Sequence, residues 1–69
     1  MVEVFKTNVQ DKGQAEQLVH LLSRYFPACS INFDLDDCDK VLRIEGELLT
    51  LENLKMIVNE NGFICEVLD

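Results

Sequence analysis

The sequence predicts an α+β fold in the order strand, helix, strand, strand, helix, strand, with four antiparallel strands in one sheet and both helices on one face. Three observations carry this. Two stretches place apolar residues at three- and four-residue steps, the period of a helix with one buried face. Between them, residues 29–45 alternate apolar and polar on either side of an acidic turn, the pattern of a hairpin. Short runs rich in β-branched and aromatic residues open and close the chain.

Each element follows from its residues. Val2 to Val9, VEVFKTNV, reads as the first strand over residues 2–9. Residues 12–26 read as a helix whose buried face is Ala15, Leu18, Val19, Leu22 and Phe26. Asp11 is placed to cap it, with Gln14 three residues on to answer in a capping box, and Pro27 ends it because proline cannot continue a helix interior. Residues 29–35 alternate, with Cys29, Ile31, Phe33 and Leu35 on one face and Ser30, Asn32 and Asp34 on the other. Asp36, Asp37, Cys38 and Asp39 form the turn, where aspartate side chains bond to nearby backbone. Residues 40–46 return, with Leu42 and Ile44 facing the core.

Thr50 is placed to cap a second helix over residues 51–61, with Leu49 and Leu54 positioned as a hydrophobic staple. Its buried stripe is Leu51, Leu54, Ile57 and Val58. Gly62 suits the left-handed residue after a helix, and residues 63–68 form the last strand. With right-handed crossovers these elements give a ferredoxin-like arrangement, strand order 4-1-3-2, as one domain over residues 1–69.

Composition narrows the functional classes. Sixty-nine residues, 48% of them hydrophobic, build one small core and leave little room for a lid, a cofactor and a substrate pocket, which argues against an enzyme. Thirteen acids against six bases give a net charge of −7. Nucleic acid and anionic membranes are therefore disfavoured partners, since both are bound through Lys and Arg. A basic protein surface is electrostatically permitted. Three widely spaced cysteines make no disulfide framework, and no apolar run approaches the ~18 residues of a membrane span. Met1 leads into Val2, Glu3 and Val4 without a basic start, so the expected location is the cytoplasm, with reduced thiols.

Several segments taken together resemble one family. They are Phe5–Lys6–Thr7–Asn8–Val9, then Ile31–Asn32–Phe33–Asp34, then Val41–Leu42–Arg43–Ile44–Glu45, and finally Ile57 and Val58 before Asn61–Gly62–Phe63. Their order and spacing, over nearly the whole chain, resemble the heavy-metal-associated domain of copper chaperones and metal-transport ATPases. In that family the loop after the first strand reads Cys-x-x-Cys. Aligned from Phe5, the two family cysteines fall on Asp11 and Gln14. Two thiolates one turn apart suit Cu(I), a soft ion, and a carboxylate with a neutral amide does not replace them. The resemblance thus implies a member that has lost its soft-metal site.

The remaining candidates have plain structural readings beside their functional ones. Asp11 and Gln14 offer two hard oxygen ligands, yet a lone carboxylate there is sufficiently explained as a helix cap. Asp34, Asp36, Asp37 and Asp39, with Glu45 following, partly match a calcium loop. They lack its turn glycine, and Leu42 and Ile44 demand a strand. Cys29 and Cys65 fall on opposite edges of the sheet and read as small core residues, and Cys38 as an exposed thiol. His20 falls on the polar side of the first helix.

The sheet face without helices carries either Val2 and Val4 or Phe5 and Thr7 on its first strand, with Val41 and Ile64. Val2, Val4, Val41 and Ile64 are thus the expected contact for a protein partner or a weak homodimer. The function expected is a non-enzymatic interaction or accessory module without a cofactor. The alternative is a heavy-metal trafficking protein using ligands such as Asp11 or the acidic turn.

Overall fold

In the computed structural model, which describes residues 1–47 and 50–68, the chain forms β1 (Val2–Thr7), α1 (Lys12–Tyr25), β2 (Ser30–Asp34), β3 (Val41–Glu45), α2 (Leu51–Glu60) and β4 (Cys65–Val67). The four strands make one antiparallel sheet in the order β2-β3-β1-β4, the ferredoxin-like arrangement expected from the pattern.

Alternation along each strand decides which side chains meet the helices. Phe5 on β1, Leu42 and Ile44 on β3, Ile31 on β2 and Cys65 on β4 are buried, and they join Leu22 of α1 with Leu54, Ile57 and Val58 of α2 in one cluster. A smaller cluster of Val9, Ala15 and Leu18 closes the end of the sheet where β1 runs into α1. Phe33 and Phe63 touch both clusters and so weld them together. Val19, Phe26 and Leu51 complete the helix stripes but are only half-buried. The choice left open on β1 is now decided: Phe5 and Thr7 face the helices, so Val2 and Val4 face away.

Every strand is shorter than the apolar run that encodes it, for local reasons. β1 ends at Thr7 rather than Val9, because the Thr7 hydroxyl donates to the Lys40 carbonyl and accepts from the Val9 N–H, which bends the chain out of the ladder. β3 begins at Val41 because Lys40, at φ 48°, is a left-handed turn residue. β4 begins at Cys65 because the Ile64 N–H is taken by the Asn8 side-chain carbonyl. Among the helix ends, Gly62 adopts φ 87° as expected. Thr50 is extended and its carbonyl accepts from the Leu54 N–H, but its hydroxyl caps nothing. The staple expected between Leu49 and Leu54 lies outside the described residues.

Gly46 answers to a close approach. A Cβ there would lie 2.5 Å from the Cys29 sulfur and 3.0 Å from the Cys29 Cα, where α1's exit passes the end of β3. Gly46→Ala is therefore expected to cost about 1–3 kcal/mol by overpacking. Urea unfolding of the two proteins measures it, and an unchanged midpoint would mean that the Cys29 segment moves aside freely.

Candidate functional site

Three segments gather at one end of the sheet: the loop from β1 into α1, the β2–β3 turn, and the approach to β4. Hydrogen bonds tie them together. The Thr7 N–H donates to the Asp39 carbonyl at 3.0 Å, and the Ile64 N–H donates to the Asn8 side chain at 2.8 Å. Asp11, Gln14 and the acidic turn sit at this end, whereas Glu45 lies at the far end of β3, opposite Val2 and Ser30.

Asp11 is the N-cap of α1, with extended backbone, and its Oδ1 accepts from the Gln14 N–H at 2.8 Å. Gln14 departs from the capping box expected of it. Its Oε1 accepts from the Gln10 N–H at 2.9 Å, one residue before the cap, rather than from Asp11 itself. Both side chains are thus engaged with backbone. The carboxylate also meets the positive end of the helix dipole, a second stabilising term.

The acidic turn is equally committed to its own backbone. Asp34 Oδ1 accepts from the Asp36 N–H at 3.2 Å, and Asp37 Oδ1 accepts from the Asp39 N–H at 2.9 Å. Asp39 Oδ1 lies 3.9 Å from Lys6 Nζ, and Lys40 Nζ donates to the Leu35 carbonyl at 3.0 Å. Ligand atoms of Asp37, Cys38 and Asp39 do approach within 4.8 Å of one another. These three are consecutive turn residues, and side-chain-to-backbone bonds of this kind are what aspartate makes in turns with no ion present.

The thiols are separated as the spacing implied. Cys29 is half-buried before β2, Cys65 is buried on β4 at the opposite edge, and Cys38 is exposed in the turn. Burial pushes the Cys65 thiol above its ordinary value of 9.0, and the nearby charge of Lys55 pulls it only partly back. A protonated, buried thiol is neither ligand nor nucleophile. His20 is exposed on α1.

The open sheet face is built from alternate residues of all four strands. Val2, Val4 and Lys6 of β1 lie between Val41, Arg43 and Glu45 of β3 and Glu66 of β4. Val4 pairs with Arg43, and the Leu68 N–H donates to the Val4 carbonyl at 2.8 Å, which adds Leu68 to this face. Leu68 was not anticipated from the sequence, though its even spacing from Glu66 was the available signal. Val4 is therefore flanked by Leu68 on β4's side, by Val2 along its own strand and diagonally by Val41. Ile64 is not one of them: continuing the registers puts Lys6 between Val41 and Glu66, and Ile64 stands two residues further on, beside Asn8, 56% exposed. The expected patch is thus divided, with Arg43 and Glu45 on its rim in an ion pair of 3.9 Å.

No protein-family model, curated protein or solved structure matches this chain. Among the described residues, no helix is long and apolar enough to cross a membrane.

Two outcomes test the site as described. Asp11→Ala frees first-turn N–H groups and is expected to cost about 1 kcal/mol in chemical denaturation; no loss of stability would remove Asp11 from the cap. Because the folded Cys65 pKa is raised, its contribution to stability is full below the ordinary thiol value of 9.0 and is lost as pH rises through the folded value. Stability measured against pH should therefore fall more steeply above 9.0 in the natural protein than in Cys65→Ala.

Proposed function

We propose that the chain is a non-enzymatic protein-interaction module, resembling the heavy-metal-associated domain with its soft-metal site lost, and that it makes contact through the open sheet face. The observation that carries this reading is the grouping of Val2, Leu68 and Val41 around Val4 on that face. Val2 remains 44% exposed, and an Arg43–Glu45 pair lies at the rim. An apolar centre bounded by charged groups is the anatomy of a protein contact. The loss of the metal function is supported by the engagement of Asp11 and Gln14 with the backbone at the helix start, where neither presents a soft ligand.

The charge of −7 selects the partner class. A basic protein surface is favoured, and a second copy stacks on this face only once salt screens the repulsion between like-charged molecules. Three free thiols suit a reducing compartment, so we place the module in the cytoplasm.

Val41→Asp tests the face. It sets a carboxylate on the open face between Asp34 and Lys6 and diagonal to Val4, while Leu42 and Ile44 stay buried, and circular dichroism checks that the fold is retained. Binding to a panel of basic proteins, followed by backbone NMR shifts, is expected to perturb Val2, Val4, Val41 and Leu68 and to be lost in the variant. Shifts confined to the helices would overturn the reading.

A further inference from the structure

The hydrogen-bond parity of the sheet determines which backbone groups are left over. The Gly46 N–H donates to the Met1 carbonyl at 2.9 Å, so odd residues of β1 bond toward β3, and the Leu68–Val4 bond shows that even ones bond toward β4. Alternation then turns Leu42 and Ile44 of β3 toward β1, and Val41, Arg43 and Glu45 toward β2. On β2, Ser30, Asn32 and Asp34 bond inward to those three. The N–H and C=O groups of Ile31 and Phe33 therefore point out of the free edge. None of the turn, loop or cap bonds among the described residues takes them.

Nothing blunts this edge. Exposed strands are usually protected by lysine, proline, a bulge, an inward-pointing charge or brevity. β4 uses brevity, with three residues, whereas β2 has five and reads Ser-Ile-Asn-Phe-Asp. Nor does α1 cover it. A groove of about 620 Å³ runs between α1 and the strand, with Val19, Ile31 and Phe33 among its lining.

We infer that the β2 edge pairs with the β2 edge of a second copy, antiparallel about a two-fold axis at Asn32, to give one continuous sheet of twice four strands. The occupant follows from the register. A two-fold at Asn32 sets Ile31 opposite Phe33 of the second copy, and these are the residues whose backbone groups point outward. All four groups of each copy are then satisfied at once. The same register sets a β-branched side chain against an aromatic one on the helix side, a favourable cross-strand pair that continues both cores. On the open side Asp34 meets Ser30 and Asn32 meets Asn32, so no acid opposes an acid. A strand that complements itself in hydrogen bonds, packing and charge makes the isologous contact of a two-fold dimer. The charge of −7 per copy keeps this dimer weak at low salt and tightens it as salt is added. The contact is separate from the open face, whose apolar residues lie on β1, β3 and the end of the chain.

Asn32 is exposed and opposes itself, so a single substitution places two like charges face to face. Sedimentation at high concentration and moderate salt is expected to show the natural protein self-associating, with both Asn32→Asp and Asn32→Lys shifted to monomer. An equal mixture of the two variants should associate again, since Asp then faces Lys. In the natural protein the amide hydrogens of Ile31 and Phe33 should exchange more slowly as concentration rises. Circular dichroism confirms that each variant folds. The inference is overturned by a natural protein that stays monomeric throughout, by tightening in Asn32→Lys alone, which would report net charge only, or by a mixture that remains monomeric.

Discussion

The Thr7 hydroxyl is the one buried polar side chain among the described residues, and the end of the molecule that carries Asp11, Gln14 and the acidic turn is assembled around it. It donates to the Lys40 carbonyl and accepts from the Val9 N–H, while its own N–H reaches the Asp39 carbonyl. A buried hydroxyl without partners would cost a few kcal/mol, so its position commits three segments together: the end of β1, the start of α1 and the acidic turn. Lys40 is held left-handed in the same arrangement, and that lets the connection from Leu35 to Lys40 close the hairpin without entering the sheet. Val9 can then leave β1 and pack against Ala15 and Leu18 as a separate small cluster.

The same arrangement bears on the loop from β1 into α1. At the opening of α1 both polar side chains bond to the local backbone, Asp11 to the Gln14 N–H and Gln14 to the Gln10 N–H. A residue that caps a helix contributes stability independent of any ligand. In a domain whose single small core supplies only roughly 3–5 kcal/mol, a term of that size is a substantial fraction of the whole. The loop thus serves the fold, and the surfaces proposed for recognition are the open face and the β2 edge. Both arise from the same topology, since covering one side of a four-stranded sheet with two helices leaves the other side and two edges to solvent.

The order of elements, the helix-facing residues and the Asp11 cap were legible in the sequence because each depends on local periodicity or on a single short-range bond. Period two identified Ile31, Leu42 and Ile44, and the three-and-four stepping identified Leu18, Leu22, Leu54 and Val58. Periodicity could not decide whether Phe5 and Thr7 or Val2 and Val4 faced the helices, because both pairs alternate equally well. Packing against Leu22 and Leu54 decided it. Nor could it say that Lys6 would stand between Val41 and Glu66 and separate Ile64 from the valines, because cross-strand neighbours are set by register between segments distant in the chain. Gln14's choice of the Gln10 N–H and the outward groups of Ile31 and Phe33 likewise follow from bond parity and loop geometry, which only the folded backbone establishes. By itself the sequence determined what must be buried and where chain direction reverses, since burial and turn chemistry are properties of single residues and their immediate spacing. Tertiary structure decided which surface residues become neighbours, since adjacency on a sheet belongs to pairs of strands and not to any one of them.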